Sequence, residues 1–222
     1  MAWAELAIAF SVFFASHSLP LRPAVRSRAE GLVGRRTFLI AYSTLSVAVL
    51  AWLIVAAGRA PYVALWPWRA WQMHVPALVM LPACLLVALA IARPNPFSFG
   101  GRDNDTFDPD RPGLVRWCRH PLLAAMALWA AAHVIANGDL AHALLFGTFA
   151  AFALAGMKII DRRRQREMGA GWLSLSDAVA ASPLLPVPVS SKALALRLAA
   201  GLCLYLGLLL LHPLVIGVSP LP

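Results

Sequence analysis

Six long apolar stretches separated by short polar ones set the pattern of this chain. They cover 2–19, 37–57, 74–92, 121–136, 140–160 and 198–218. Most are near the ~20 residues that a helix rising about 1.5 Å per residue needs to cross a hydrocarbon core of about 30 Å. The pattern predicts an all-α fold, a polytopic membrane helix bundle of six transmembrane helices, with residues 1–222 forming a single domain. The fourth stretch is short and the third contains Pro76 and Pro82. Five spans with one re-entrant segment is therefore the alternative, because breaks at membrane depth survive where protein covers the backbone. The first stretch opens Met1-Ala2-Trp3-Ala4-Glu5 without the basic residues that precede a secretory signal, and it is expected to persist as a helix.

The polar stretches carry the orientation. Five arginines lie in 20–36, five in 93–119, and six lysines and arginines in 158–192. The second connection has two, Arg59 and Arg69, and the fourth, Asn137 to Asp139, has none. The odd-numbered loops, 20–36, 93–120 and 161–192, are thus expected on the cytoplasmic side of a bacterial inner membrane, with both termini periplasmic if six spans are present. Trp66, Trp68 and Trp71 suit an aromatic belt on the outer side.

Composition agrees: 60% apolar and 13% charged residues, with a mean hydropathy of +0.72, exceed what an ordinary soluble domain carries, so membrane lipid is an expected partner. A net charge of +9 would suggest nucleic acid in a soluble chain. Here the charges occupy topology-setting loops, and no nucleic-acid partner is expected. Cys84, Cys118 and Cys203 lack metal-ligand spacing and read as free thiols. Asp103, Asp105, Asp108 and Asp110 alternate as in a calcium loop, but the later glycine and glutamate of such a loop are missing.

Ionisable side chains at the edge or inside of a span are costly and therefore mark function. Arg116-Trp117-Cys118-Arg119-His120-Pro121 opens the fourth stretch. Pro121 suits the first position of a helix, whose free N–H groups and partial positive charge attract an anion. Arg116, Arg119 and Arg22 would add direct charge, and with His120 they could hold a phosphate or a carboxylate such as a cofactor propionate. The plainer alternative is a polar helix start with membrane-edge arginines. His133 lies about 20 Å further along the same helix. Met126, Trp129, His133 and Asn137 are three and four residues apart, share one helical face, and are expected to point into the bundle. Neutral imidazole is a common metal ligand, and two histidines from different helices can hold a haem iron. A histidine bonded to a neighbouring helix is the alternative. His17 lies near the end of the first stretch, while His74, His142 and His212 read as structural. The basic run from Lys158 to Arg166, followed by Glu167 to Trp172, reads as a membrane-edge anchor and a helix stop, with a flap over Arg119 and His120 as the alternative. No GxGxxG, P-loop, GxSxG or HExxH motif is present.

In this order, His17-Ser18 with Arg22, Asn95-Pro96, Arg119-His120-Pro121, Trp129 with Ala132-His133, Asn137-Gly138-Asp139, and Asp161 followed by Gly171-Trp172 resemble the NnrU family of bacterial membrane proteins over most of the chain. The resemblance implies a role near nitrite and nitric oxide metabolism, that is, denitrification. The family is similar to 15-cis-zeta-carotene isomerases, which are regarded as haem b enzymes. That similarity implies His17 and His133 as axial ligands with His120 in reserve, and Arg22, Arg116, Arg119, His120, Trp129 and Asn137 around the cofactor. Ala130 stands where those isomerases carry a cysteine. The Arg-His-Pro element with a later acid and Gly-x-Gly-Trp is also similar to isoprenylcysteine carboxyl methyltransferases, which implies S-adenosylmethionine as the alternative cofactor. The resemblance thus implies a haem-associated membrane protein. The alternatives are a carotenoid isomerase-like haem enzyme, an S-adenosylmethionine-dependent membrane methyltransferase, or a non-catalytic partner of other membrane proteins in assembly or regulation.

Overall fold

The computed structural model describes residues 1–20, 22–184 and 190–221. Among these residues eight α-helices follow one another: α1 (Ala2–Ser18), α2 (Pro23–Val33), α3 (Arg35–Arg59), α4 (Trp71–Ala90), α5 (Pro121–Asn137), α6 (Leu140–Met168), α7 (Ala170–Ala181) and α8 (Ser191–Val215). Each of the six apolar stretches is a helix. Four of them, α3, α4, α6 and α8, are long and apolar enough to cross a membrane, and α1 with α2 makes a fifth if this pair, bent by 78°, is one span. α1 and α5 have 17 residues each, about 25 Å of helix, so by length the six expected spans become four or five. The protein is a multi-pass, all-helical membrane protein. α8 shows why: it buries only Gly201 and leaves Leu214 81% exposed, a surface that water penalises and lipid tails accept.

Two stretches expected as loops are largely helical. In 20–36, Arg22 enters α2 with an extended backbone, Pro23 takes the first helical position, and Gly34 at φ +81° separates α2 from α3. Arginine, alanine and leucine are good helix formers, so the basic run marks a membrane edge without ending a helix. α6 likewise continues past residue 160 to Met168, where Glu167 receives Arg163 and Arg164 from the preceding turn. Gly169, at φ +58°, then breaks the chain into α7. Residues 185–189 of the expected third loop lie outside the described residues.

The chain packs as two compact units, residues 1–66 with 139–145 and residues 67–138 with the segment from 146 onward. In the first unit, α1 and α2 pack on α3. Glu5 Oε1 accepts from Trp52 Nε1 at 3.4 Å and from Arg59 at 3.5 Å. Asp139 is buried and caps α6: its carboxylate accepts the His142 N–H at 3.1 Å and His142 Nδ1–H at 2.8 Å, and its backbone pairs with Ala64.

In the second unit, α4 packs against α5 and α8. Pro76 and Pro82 sit inside α4, and next to the first of them Tyr205 of α8 donates to the Ala77 carbonyl at 2.8 Å. Arg197 of α8 closes the end of α4, donating to the carbonyls of Ala88 at 2.8 Å and Ile91 at 2.9 Å. Close approach of these helices requires Gly201, where a Cβ would stand 2.9 Å from Leu85 Cδ2 and 3.1 Å from Leu85 Cα. Gly201→Val is expected to destabilise the protein by about 1–3 kcal/mol through this clash. Gly207→Ala meets nothing within 4 Å and should not. Thermal unfolding of the detergent-solubilised variants checks the pair.

Candidate functional site

The Arg119-His120-Pro121 element organises a polar cluster in the second unit. Asn95 prepares it: its Oδ1 accepts the Phe97 N–H at 3.1 Å in a tight turn ahead of Pro96, and its Nδ2 donates to the Arg119 carbonyl at 3.0 Å. The turn buries Phe97 and Ser98. His120 caps α5 from outside the helix and is only 5% exposed. Its Nε2–H donates to Asp161 Oδ1 at 3.1 Å, and its Nδ1 accepts from the Ser98 hydroxyl at 3.0 Å. Arg119 reaches the other carboxylate oxygen of Asp161 at 3.2 Å and Ser176 Oγ on α7 at 3.1 Å. Its guanidinium stacks 4.9 Å from the Trp172 ring centre and 5.3 Å from that of Phe97. Phe97 and Trp172 meet edge to face in a small core with Val115 and Val179.

This arrangement is a clamp joining the start of α5 to α6, to α7 and to the loop before it. The Arg119 charge is balanced by Asp161, and His120 is neutral. Burial holds the imidazole below its ordinary value of 6.5, outweighing the opposite pull of Asp161, while Arg119 adds a smaller downward push. Unfolding frees the ring to take a proton, so acid favours the unfolded chain. The His120 contribution is fully present above 6.5 and is lost as the pH falls below it. Between about pH 7 and about pH 5, the unfolding temperature should therefore fall more steeply for the native protein than for His120→Gln, measured in one detergent. Nearby, burial pushes the Cys118 thiol up, against a smaller downward pull from a backbone hydrogen bond with His120.

The residues marked in the sequence are distributed as follows. Arg119 and His120 form the clamp. Arg116 lies beside it, donating from Nε to the Ser182 carbonyl at 3.1 Å. Trp129, His133 and Asn137 share one face of α5, as their spacing required. His133 Nδ1–H donates to the Trp129 carbonyl at 2.7 Å, Asn137 donates to the His133 carbonyl at 2.7 Å, and the His133 ring lies 5.0 Å from Phe146 and 5.6 Å from Trp129. This face is half-buried, and Met126, expected beside it, is 43% exposed. The buried positions of α5 are Pro121, Leu123 and the alanines 125, 130 and 132, because small side chains let membrane helices approach closely. His17 belongs to the first unit, where its Nδ1–H donates to the Phe13 carbonyl at 2.9 Å and its ring lies 4.1 Å from that of Phe13. Arg22 also lies in the first unit, exposed at the start of α2.

Sequence reasoning did not place Ser98 or Ser176 in the site, and it brought Asp161 and Trp172 towards Arg119 and His120 only through the alternative of a flap. One signal was available for Asp161: it is a lone acid within the basic run from Lys158 to Arg166. Trp172 read as part of a helix stop, and Gly169 is that stop. The tryptophan continues into the clamp, and its buried Nε1 has no hydrogen-bond partner among the described residues.

A half-buried histidine face on a short apolar helix, anchored at its end by an ion-paired clamp, defines a multi-pass membrane protein with a built polar centre. The chain belongs to the NnrU family: the family model described as NnrU protein matches residues 5–220. No curated protein and no solved structure gives a significant match.

Proposed function

We propose that this protein is a bacterial inner-membrane component of nitrite and nitric oxide metabolism that holds haem b, with His133 as an iron ligand. One observation carries the reading. The carbonyl of Trp129 can only accept, so His133 Nδ1 bears the proton and the neutral ring keeps its lone pair on Nε2, the atom an iron needs. Trp129 and Phe146 add flat, apolar walls beside it. His17, which the resemblance implied as a second ligand, is held in the same way by Phe13 on α1 within the first unit. When bound, haem supplies a redox-active iron open to nitrogen-oxide chemistry.

Arg116 and Arg119 are not assigned to the propionates in this reading. Arg119 and Arg116 already donate within the protein, and both His120 nitrogens are engaged, which leaves that ring no lone pair for iron. Arg119, His120 and Asp161 are positioning residues in this reading. They fix the start of α5 and thereby the direction in which His133 is presented. The concentration of arginine in these connections supports a cytoplasmic position for the clamp.

The same saturation of the clamp favours a second reading, a non-catalytic partner for assembly or regulation of other membrane proteins. Absorption spectra of the native protein and His133→Ala, purified from haem-replete cells, test the first reading. Under the second, His133→Ala alters the co-purifying proteins and no absorbance.

A further inference from the structure

A cavity of about 130 Å³ lies in the second unit, apart from the His120–Asp161 contact. Its walls are Leu89 and Ala90 at the end of α4, Pro121 at the start of α5, and the connection between them, including Arg93, Asp108 and Arg111. An apolar cavity of about 150 Å³ holds benzene, so this one has room for a group of roughly six non-hydrogen atoms. Its position is informative. The ends of a long apolar helix and of its neighbour lie where hydrocarbon gives way to headgroups.

The lining is charged in a way the protein leaves unresolved. Neither the Arg93 nor the Arg111 side chain makes a hydrogen bond or an ion pair among the described residues, whereas Arg119, Arg116 and Arg197 all do. Arg93 also lies in the repulsive field of Arg197. Asp108 opposes them weakly: its Oδ1 accepts the Asp110 N–H at 2.9 Å, and it makes no ion pair among the described residues. Two guanidinium groups against one carboxylate leave an excess positive charge on a concave surface that also offers Leu89, Phe107 and Leu114. The nearby start of α5 adds the positive end of a helix dipole.

We propose that this cavity binds a phosphate group, with Arg93 and Arg111 as its two anchors. The guanidinium fork matches phosphate oxygens in geometry and charge, and the bound anion would relieve the repulsion between Arg93 and Arg197. The phosphate can arrive as the headgroup of a membrane phospholipid or as a free ion, and two arms separate these sources. In one, the detergent-solubilised protein is titrated calorimetrically with inorganic phosphate. In the other, native mass spectrometry counts phosphatidylglycerol molecules retained after lipid addition.

The native protein should bind in at least one arm, and the arm identifies the source. Arg93→Gln/Arg111→Gln should weaken that binding by on the order of tenfold or more. Asp108→Asn removes a like charge and should tighten it several-fold, a gain that a misfolded variant cannot imitate. The proposal is overturned if neither probe binds the native protein, if the double variant binds as well as the native protein, or if Asp108→Asn weakens binding.

Discussion

Replacing Asp161 by alanine should lower the unfolding temperature of the detergent-solubilised protein by on the order of 5–10 °C. Asp161 is the shared acceptor of the clamp, taking Arg119 on one oxygen and His120 on the other. Its loss leaves a guanidinium between two aromatic rings and a nearly buried imidazole without their partner. A hydrogen bond to a charged group contributes about 1.5–3 kcal/mol. The side chains of Asp161 and Arg119 are 27% and 34% exposed, so solvent screening reduces the pair to about 2–4 kcal/mol in total. Glu167→Ala, on the same helix, removes two exposed ion pairs and should cost no more than about 1 kcal/mol. Equal effects from the two substitutions would show that the clamp holds nothing. Arg119→Lys should fall between them, because an ammonium keeps the charge but cannot reach Asp161 and Ser176 together while stacked on Trp172.

The helices were legible because apolar runs of this length have few other uses, and all six appear within a few residues of their expected positions, apart from the extended end of α6 and the early start of α8. What charge density obscured was continuity. Residues 20–36 and the start of 161–192 read as loops, yet arginine favours helix and the intervening residues do not oppose it. The real breaks fall at Gly34 and Gly169, where positive φ is required. The site was half legible for a different reason. Arg119 and His120 announced themselves by their cost at a helix start, and Trp129, His133 and Asn137 by helical spacing. Their partners are remote: Ser98 is 22 residues from His120, Asp161 is 41 away, and Ser176 is 57 from Arg119. No local period links such residues. Size added what polarity did not indicate, since the alanines at 125, 130 and 132 are the more deeply buried positions of α5.

The second large effect concerns His133, and here stability and function should separate. Among the described residues His133 hydrogen-bonds within its own helix, through Nδ1 to the Trp129 carbonyl. Its replacement by alanine should therefore disturb the fold far less than Asp161→Ala, while removing the Nε2 lone pair on which the proposed role depends. Asp161→Ala should act in the opposite order, lowering stability while the ligand itself remains. Trp129→Leu, which keeps an apolar side chain and the same backbone carbonyl, should preserve binding and shift the absorption maximum through the altered surroundings of the iron.

The most direct measurement is the absorption spectrum of protein purified from haem-replete cells, native and His133→Ala side by side, with His142→Ala as a control whose ring is engaged by Asp139. The account predicts a Soret band in the native protein and in His142→Ala, and its loss in His133→Ala at unchanged helical content. A native protein with no Soret band, or a band that His133→Ala leaves intact, would contradict it.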